Sequence, residues 1–321
     1  MRLTVILSSP LGLPALHELL AQGVVAGVAV PVTGLAEPEE LAAQVTGLLS
    51  GSRIGLVRLA RPGLAAALHQ WLAATQPAAV LVMTFPWRIP ASVLNVPPHG
   101  FLNFHYAALP GYRGPEPIFW QIRNGETAGA VTVHRMETDF DTGPVLLAQP
   151  VAIGPHDTHG LHRAQVALTA VAVASRLVAA LRGDGPPPEP VAQAPGARYW
   201  PRAGLADVCV RWDEPAPEID RLVRAVNPWN RGALTLLRGQ LLRLLCVQPL
   251  PNAGRALPGT LVQTGAPDGL PVVACGAGTA LRLDAVALDE GYFTGAQLAR
   301  LGLQPGEQLT ELAPAAALST V

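Results

Sequence analysis

The sequence predicts an α/β protein in which a mostly parallel, doubly wound sheet is followed by a small C-terminal β barrel. Three observations carry this expectation. Apolar strand-like runs alternate with helix-period segments over the first half of the chain. A stretch rich in Pro and Gly follows from residue 183, and beyond it come many short strand-sized runs divided by Gly and Pro. With 321 residues, half of them apolar, there is material for two cores.

Taken in order, Leu3 to Ser8 is a short apolar strand, and Leu13, Leu16, Leu19 and Leu20 recur at helical spacing over Leu13 to Ala21. Val24 to Val30 is strand-like, Pro38 to Leu49 helical, Ile54 to Leu59 strand-like, Leu64 to Ala74 helical and Ala79 to Met83 a buried strand. Such alternation makes a sheet with helices on both faces, whose ligands gather beyond the carboxyl ends of the strands. Phe85 to Pro90 and Asn103 should fall there. A dinucleotide site is excluded, because the first strand runs into Ser8-Ser9-Pro10-Leu11-Gly12 without the glycine fingerprint.

A long helix is expected from about Thr158 to Leu181, capped by Asp157 or Thr158. His156, His159 and His162 recur every three residues there. With no fourth ligand in sight they read as a solvated first turn and not as a metal site. Gly183 to Pro201, with Pro186-Pro187-Pro188, reads as a stiff extended linker, which gives domains over 1–182 and 206–321 with a linker over 183–205. The second domain should hold a strand near Val208 to Trp212 and a helix over Ala216 to Ala225. Strands should follow at Ala233 to Leu237, Leu241 to Val247, Gly259 to Gln263, Leu270 to Ala274 and Ala280 to Val286.

Composition narrows the chemistry. All 22 basic residues are arginine, so Schiff-base chemistry and a lysine-bearing phosphate loop are excluded. Cys209, Cys246 and Cys275 are odd in number and flanked by apolar residues, which suggests core positions and not a disulfide framework. The N-terminus enters a strand pattern without a signal-peptide shape, and the apolar runs are broken before about 18 residues. A cytoplasmic protein with no membrane partner is expected.

The residues that suggest catalysis are Asn103 and His105, two apart at the end of the apolar run Gly100-Phe101-Leu102, so that a strand would project both to one face. Asp141 lies in Asp139-Phe140-Asp141-Thr142-Gly143, at the junction of strand-like Ala130 to Met136 and Pro144 to Gln149. A turn there would return its carboxylate to the imidazole. An amide, an imidazole and a carboxylate together can stabilise an oxyanion, move a proton and hold one imidazole tautomer, which acyl transfer to an amine requires. Taken singly, such residues are as well explained as ordinary hydrogen-bonded polar groups.

The surrounding residues resemble the folate-dependent formyltransferases. The match comprises Asn103, His105, Leu109-Pro110-x-Tyr112-Arg113-Gly114, Pro117-Ile118, Asn124-Gly125-Glu126-Thr127, Val131-Thr132, Met136 and Asp141-Thr142-Gly143. Arg224-Ala225-Val226-Asn227-Pro228-Trp229 further resembles the start of the C-terminal domain of methionyl-tRNA formyltransferases. The resemblance implies 10-formyltetrahydrofolate as formyl donor, an OB-like C-terminal barrel and no metal. It also implies that Asn103 and His105 donate to the oxyanion while Asp141 orients His105 and helps remove the amine proton. The pterin would lie against Phe85, Trp87, Arg88 and Ile89 and against Glu137, Thr138, Asp139 and Phe140. The loop Phe85-Pro86-Trp87-Arg88 is bulkier than is common among the translation enzymes.

For the amine acceptor, the sequence favours a small molecule such as an amino sugar over methionyl-tRNA. The segment from Val32 to Glu40 is acidic, and nine Arg against eleven Asp or Glu leave a net charge of −2 over 206–321, poor equipment for phosphates. Val131-Thr132-Val133-His134 resembles formyltransferases of amino sugars, against the alternative that His134 is a satisfied strand histidine. Asn227-Pro228-Trp229 points the other way, to tRNA. A hydrolase of the formyl folate, or a catalytically silent folate-binding protein, would share the fold; the hydrolase would turn over without an amine, and the silent protein would have no need of the intact Asn103, His105 and Asp141.

Overall fold

The structure is a computed structural model that describes residues 1–33, 36–184, 188–263 and 269–312, with the backbone alone for 36–38. Parts of the acidic segment after Val32 and of the Pro-rich stretch after Gly183 therefore lie outside the described residues. By packing, the chain forms two compact units. One comprises Met1–Pro117, Ala128–Ala152 and Arg163–Pro201, and the other comprises Ile118–Thr127, Ile153–His162 and Arg202–Val321.

The first unit contains β1 (Leu3–Leu7), α1 (Leu13–Ala21), β2 (Val25–Pro31), α2 (Ala36–Leu49), β3 (Leu56–Leu59), α3 (Leu64–Thr75), β4 (Ala79–Met83), α4 (Ala91–Leu94) and β5 (Phe101–His105). After α5 (Pro117–Arg123) it adds β6 (Ala128–Arg135) and β7 (Val145–Ala152), and it includes most of α6 (His159–Arg182). The sheet order is β3-β2-β1-β4-β5-β6-β7. Pairing is parallel from β3 to β5 and antiparallel through β6 and β7, as expected for a mostly parallel doubly wound sheet.

The alternation of side chains divides the interior into two faces. Ile6, Ala29, Leu59, Val80, Val82 and Phe101 form one core with Leu64, Leu68, Trp71 and Leu72 of α3 and with Val93 and Leu94 of α4. Leu7 and Met83 point the other way, toward the turn at Gly12 that leads into α1. Burial on both faces explains why Ala79–Met83 reads as an unbroken apolar run and not an alternating one.

Thr158 caps α6, its Oγ1 accepting from Leu161 N at 3.2 Å. By length and composition α6 could cross a membrane, but Val166, Ala170, Val173, Ala174, Leu177 and Val178 form a buried stripe along it, as in a core helix. The expected solvated histidine turn is corrected. His159 and His162 are buried, with the Trp229 ring 5.9 Å from that of His159 and Pro228 packed against Gly160, and only His156 is exposed.

The second unit contains α7 (Leu205–Val208), α8 (Ala216–Val226), β8 (Ala233–Leu237), β9 (Gln240–Leu250), β10 (Leu261–Gln263), β11 (Val272–Ala274), β12 (Ala280–Leu288), β13 (Gly291–Thr294), α9 (Gly295–Ala299) and β14 (Leu309–Thr310). Its strands run β10-β11-β12-β9-β8-β14 with β13 on β12, and an antiparallel bridge between Thr260 and Gln308 joins the two ends into a barrel. This is the small barrel the sequence predicts. The expected strand from Val208 to Trp212 is reduced to a single parallel bridge of Cys209 to Leu234, because Val208 itself ends the helical turn α7, which the Asp207 carboxylate closes by accepting from Gly204 N at 2.8 Å.

The expectation of three core cysteines also changes: Cys275 is buried, Cys209 is half-buried and Cys246 is exposed. Along β9, Leu242 and Leu244 point inward, and Cys246 would share their phase. The register to β12 shifts between Leu283 and Ala285, and this bulge turns Val247 inward and Cys246 outward.

Candidate active site

The site lies where the sheet changes direction. Asn103 and His105 leave the same face of β5, as their two-residue spacing predicts, and the antiparallel register sets His134 of β6 directly opposite Asn103. Asn103 Nδ2 donates to His134 Nε2 at 3.0 Å, while His134 Nδ1 reaches the Arg135 carbonyl at 3.0 Å. A carbonyl only accepts, so Nδ1 carries the hydrogen, Nε2 is the acceptor and the orientation of the Asn103 amide is thereby fixed. His134 is thus a member of the cluster. The signal that would have found it is the pairing of two adjacent antiparallel strands.

Asp141 returns to this point from the turn between β6 and β7, in the left-handed region with φ 57°. Its Oδ1 lies 3.4 Å from Asn103 Nδ2, 3.4 Å from His134 Nε2 and 3.5 Å from His105 Nδ1. Its Oδ2 accepts from the Gly114 N–H at 2.9 Å, a contact the sequence reading did not anticipate. Glycine is needed at both ends of this contact. A Cβ on Gly114, at φ 117°, would stand 2.0 Å from the Trp200 carbonyl oxygen, and one on Gly143 would stand 1.9 Å from that of Arg135.

Burial by itself would raise the Asp141 carboxyl, but the pull of His105 and His134 when those rings take up a proton, as they do at the low pH where Asp141 titrates, and the hydrogen bond from Gly114 N hold it down to about 2. For His105, burial pushes the imidazole below its ordinary range against the opposing pull of Asp141. His105 Nε2 donates to the Tyr112 carbonyl at 2.6 Å, so the neutral ring turns a bare Nδ1 toward Asp141. The expected second oxyanion donor is corrected: with one nitrogen on Tyr112 and the other facing Asp141, His105 has no N–H left for an oxyanion. Asn103 is the more accessible member of a cluster whose other side chains are buried. The arrangement holds the Asn103 amide by a short bond to His134 and leaves its second N–H in a long, 3.4 Å contact with Asp141 Oδ1 that a stronger acceptor can replace, backed by an imidazole–carboxylate pair able to take up a proton.

The two segments expected to meet the pterin are adjacent. Arg88 Nη2 lies 3.1 Å from Asp139 Oδ1, and its guanidinium stands 5.4 Å from the centre of the Phe140 ring. Glu137 accepts from Thr142 Oγ1 at 3.1 Å, and Thr138 is exposed beside it. Phe85 and Trp87 meet edge to face at 5.3 Å and rest on the core, while the Ile89 side chain is fully inside that core. Thr84, a β-branched residue at φ 68°, starts this loop and is tied to Ser8 by a 2.9 Å hydroxyl contact. Among the described residues, no group of three or more His, Cys, Asp or Glu is arranged to hold a metal ion.

Comparison with known proteins identifies the family. The family profile of formyl transferases matches residues 40–177, and that of the formyl transferase C-terminal domain matches 205–297. The methionyl-tRNA formyltransferase of Burkholderia multivorans is 34% identical over 222 residues, covering 69% of this chain and 67% of that protein. That of Xanthomonas campestris is 37% identical over 221 residues, covering 68% and 70%. Among solved structures, an N-formyltransferase from Helicobacter canadensis, in complex with folinic acid and dTDP-3-aminofucose, shares the fold. It has a TM-score of 0.66 and 13% identity over 88% of this chain and 98% of its own. HypX from Aquifex aeolicus with tetrahydrofolic acid gives 0.59 and 18%, covering 94% of this chain and 47% of its own.

The expected enzyme class and folate donor agree with these findings, but the expected small-amine acceptor is overturned. Relatives at 33–38% identity are methionyl-tRNA formyltransferases, whereas the sugar enzymes share 12–16% and indicate fold alone. The physical reason lies in His134. Both its nitrogens are engaged within the cluster, so its presence reflects support of Asn103 and says nothing of a sugar.

Proposed function

This chain belongs to the formyltransferase family, and we propose that it transfers the formyl group of 10-formyltetrahydrofolate to the amine of methionyl-tRNA. The observation that carries the acceptor is the 34% identity to a methionyl-tRNA formyltransferase over two thirds of each chain. In this reading residues 1–182 hold the chemistry, 183–205 connect, and 206–321 form the OB-like domain of a cytoplasmic enzyme. Arg231, Arg243 and Arg300 form no ion pair with a described carboxylate, which leaves them available to phosphates.

The mechanism follows from the cluster. As the amine nitrogen attacks the formyl carbon, the carbonyl oxygen gains negative charge, and the Asn103 amide, held by His134, donates to it. The nitrogen becomes cationic and loses its proton to the Asp141–His105 pair. Protonation of His105 Nδ1 completes the contact with Asp141 while Nε2 keeps its bond to Tyr112, so the ring need not turn. Contacts of this kind are commonly long before substrate binds. Collapse of the tetrahedral intermediate then breaks the bond from the formyl carbon to N10 of the folate, and N10 takes the proton that the pair had accepted, which leaves the pair as it began. Arg88, Phe85, Trp87 and the backbone near Ile89 and 137–140 would hold the pterin.

Formylation of methionyl-tRNA with 10-formyltetrahydrofolate, measured at two salt concentrations, tests this reading. Efficient transfer that falls steeply with salt is expected, and no transfer at low salt would overturn it. In the same assay His105→Ala should lose at least about a hundredfold in turnover while retaining folate-induced thermal stabilisation. Wild-type turnover would remove His105 from the mechanism.

A further inference from the structure

The extended stretch after α6 does more than connect. Val191 pairs with Val145 through two backbone hydrogen bonds of 2.8 Å, Arg198 N donates to the Pro110 carbonyl, and Trp200 N donates to that of Arg113. The Trp200 ring stacks on Tyr112 at 5.6 Å, and its Nε1 donates to the Gly111 carbonyl. These contacts bind the stretch as a strap along the Leu109–Gly114 loop and the turn that carries Asp141.

At the centre of the strap is Gln193. Its Nε2 donates to the Asp141 carbonyl at 2.8 Å and to the Gly143 carbonyl at 2.8 Å, and its Oε1 accepts from Arg113 Nε at 3.1 Å and Nη2 at 2.7 Å. A guanidinium only donates and a carbonyl only accepts, so the amide has one orientation and all four of its hydrogen-bonding positions are used. One of these carbonyls belongs to Asp141 itself, whose backbone is in the left-handed region and whose carboxylate accepts from Gly114, the residue after Arg113; the other lies two residues further along the same turn. Gln193 therefore holds both sides of the Asp141–Gly114 contact.

We propose that Gln193 is a positioning residue for formyl transfer, fixing the backbone around Asp141 and tying it through Arg113 to the Gly114 N–H so that the carboxylate faces His105. This inference rests on the role assigned to Asp141 above. Gln193 touches no reacting atom; it acts through Asp141.

Two variants separate positioning from general support. Gln193→Leu removes every contact. Gln193→Glu keeps, and charges, the acceptor for Arg113 but turns a hydrogen-free oxygen toward the two carbonyls, so it breaks the Asp141 side of the link and keeps the Arg113 side. For both, turnover with methionyl-tRNA at saturating donor should fall about a hundredfold, the usual scale for a displacement of about 1 Å in a reacting group, with the donor KM little changed. The Gly114 amide should exchange with deuterium at least about tenfold faster in both, which reads the Asp141 contact without any acceptor. Exchange at amides of β1 and β4 should stay as in the wild type. Wild-type turnover in Gln193→Glu, or unchanged protection of Gly114, overturns the proposal. If the wild type fails to formylate methionyl-tRNA but Gly114 exchange rises in the variants, the acceptor reading falls and the strap stands.

Discussion

Replacing Asp141 by asparagine removes a charge while keeping much of the side chain's shape, and the structure sets the size of the effect. The folded carboxyl is held at about 2 against an ordinary 3.8, because burial, which would raise it, is outweighed by His105, His134 and the Gly114 N–H. A carboxyl whose affinity for protons falls on folding stabilises the folded state wherever it is ionised. Its contribution is fully present above about 3.8 and is lost as pH falls through about 2. At about 1.4 kcal/mol per tenfold change in proton affinity, the difference is about 2 kcal/mol. Chemical denaturation of the wild type and Asp141→Asn at pH 7, 5 and 3 is the assay. The wild type should be more stable by about 2 kcal/mol at pH 7 and pH 5, with about half of that gap gone at pH 3. Turnover of the variant at pH 7 should fall by at least about a hundredfold. Equal stability at pH 7, or a gap that closes between pH 7 and pH 5, would refute the account of this carboxylate.

Gly114→Ala should destabilise the first unit by about 2 kcal/mol or more and abolish activity, since the new methyl group would meet the Trp200 carbonyl at 2.0 Å; thermal unfolding checks this, and an unchanged midpoint would contradict the packing described. Arg88→Ala should leave the melting temperature unchanged, because the exposed pair with Asp139 contributes less than about 1 kcal/mol, while the KM for the folate donor rises severalfold at constant turnover. An unaltered KM would separate Arg88 from the pterin site.

Much of the fold was legible because the strands of the parallel half are buried on both faces and read as apolar runs between helix-period segments. Asn103 and His105 were legible for a related reason: strand geometry sends residues two apart to one face. What was hidden depended on contacts between distant segments. The outward turn of Cys246 comes from a bulge against β12, and the buried state of His159 comes in part from Trp229, some seventy residues away. Gln193 stands in an extended, Pro-rich stretch with no periodicity, where a strap and a free linker have the same composition. The acceptor was misjudged because a net charge averages over a domain. Arg211, Arg221, Arg224, Arg238 and Arg282 are each matched to a nearby carboxylate, so a sum near zero conceals which arginines are free to meet phosphate.

The cross-strand pairing of Asn103 with His134 ties catalysis to a single register of the sheet. Because side chains alternate with a period of two, a slip of one residue between β5 and β6 would set Leu102 or Phe104 opposite His134 and turn its ring away from the Asn103 amide. A graded loss of pairing cannot yield a graded site. Misregistered molecules would be inactive and correctly paired ones fully active, so titration of active molecules in a refolded preparation would count the fraction that had reached the native register.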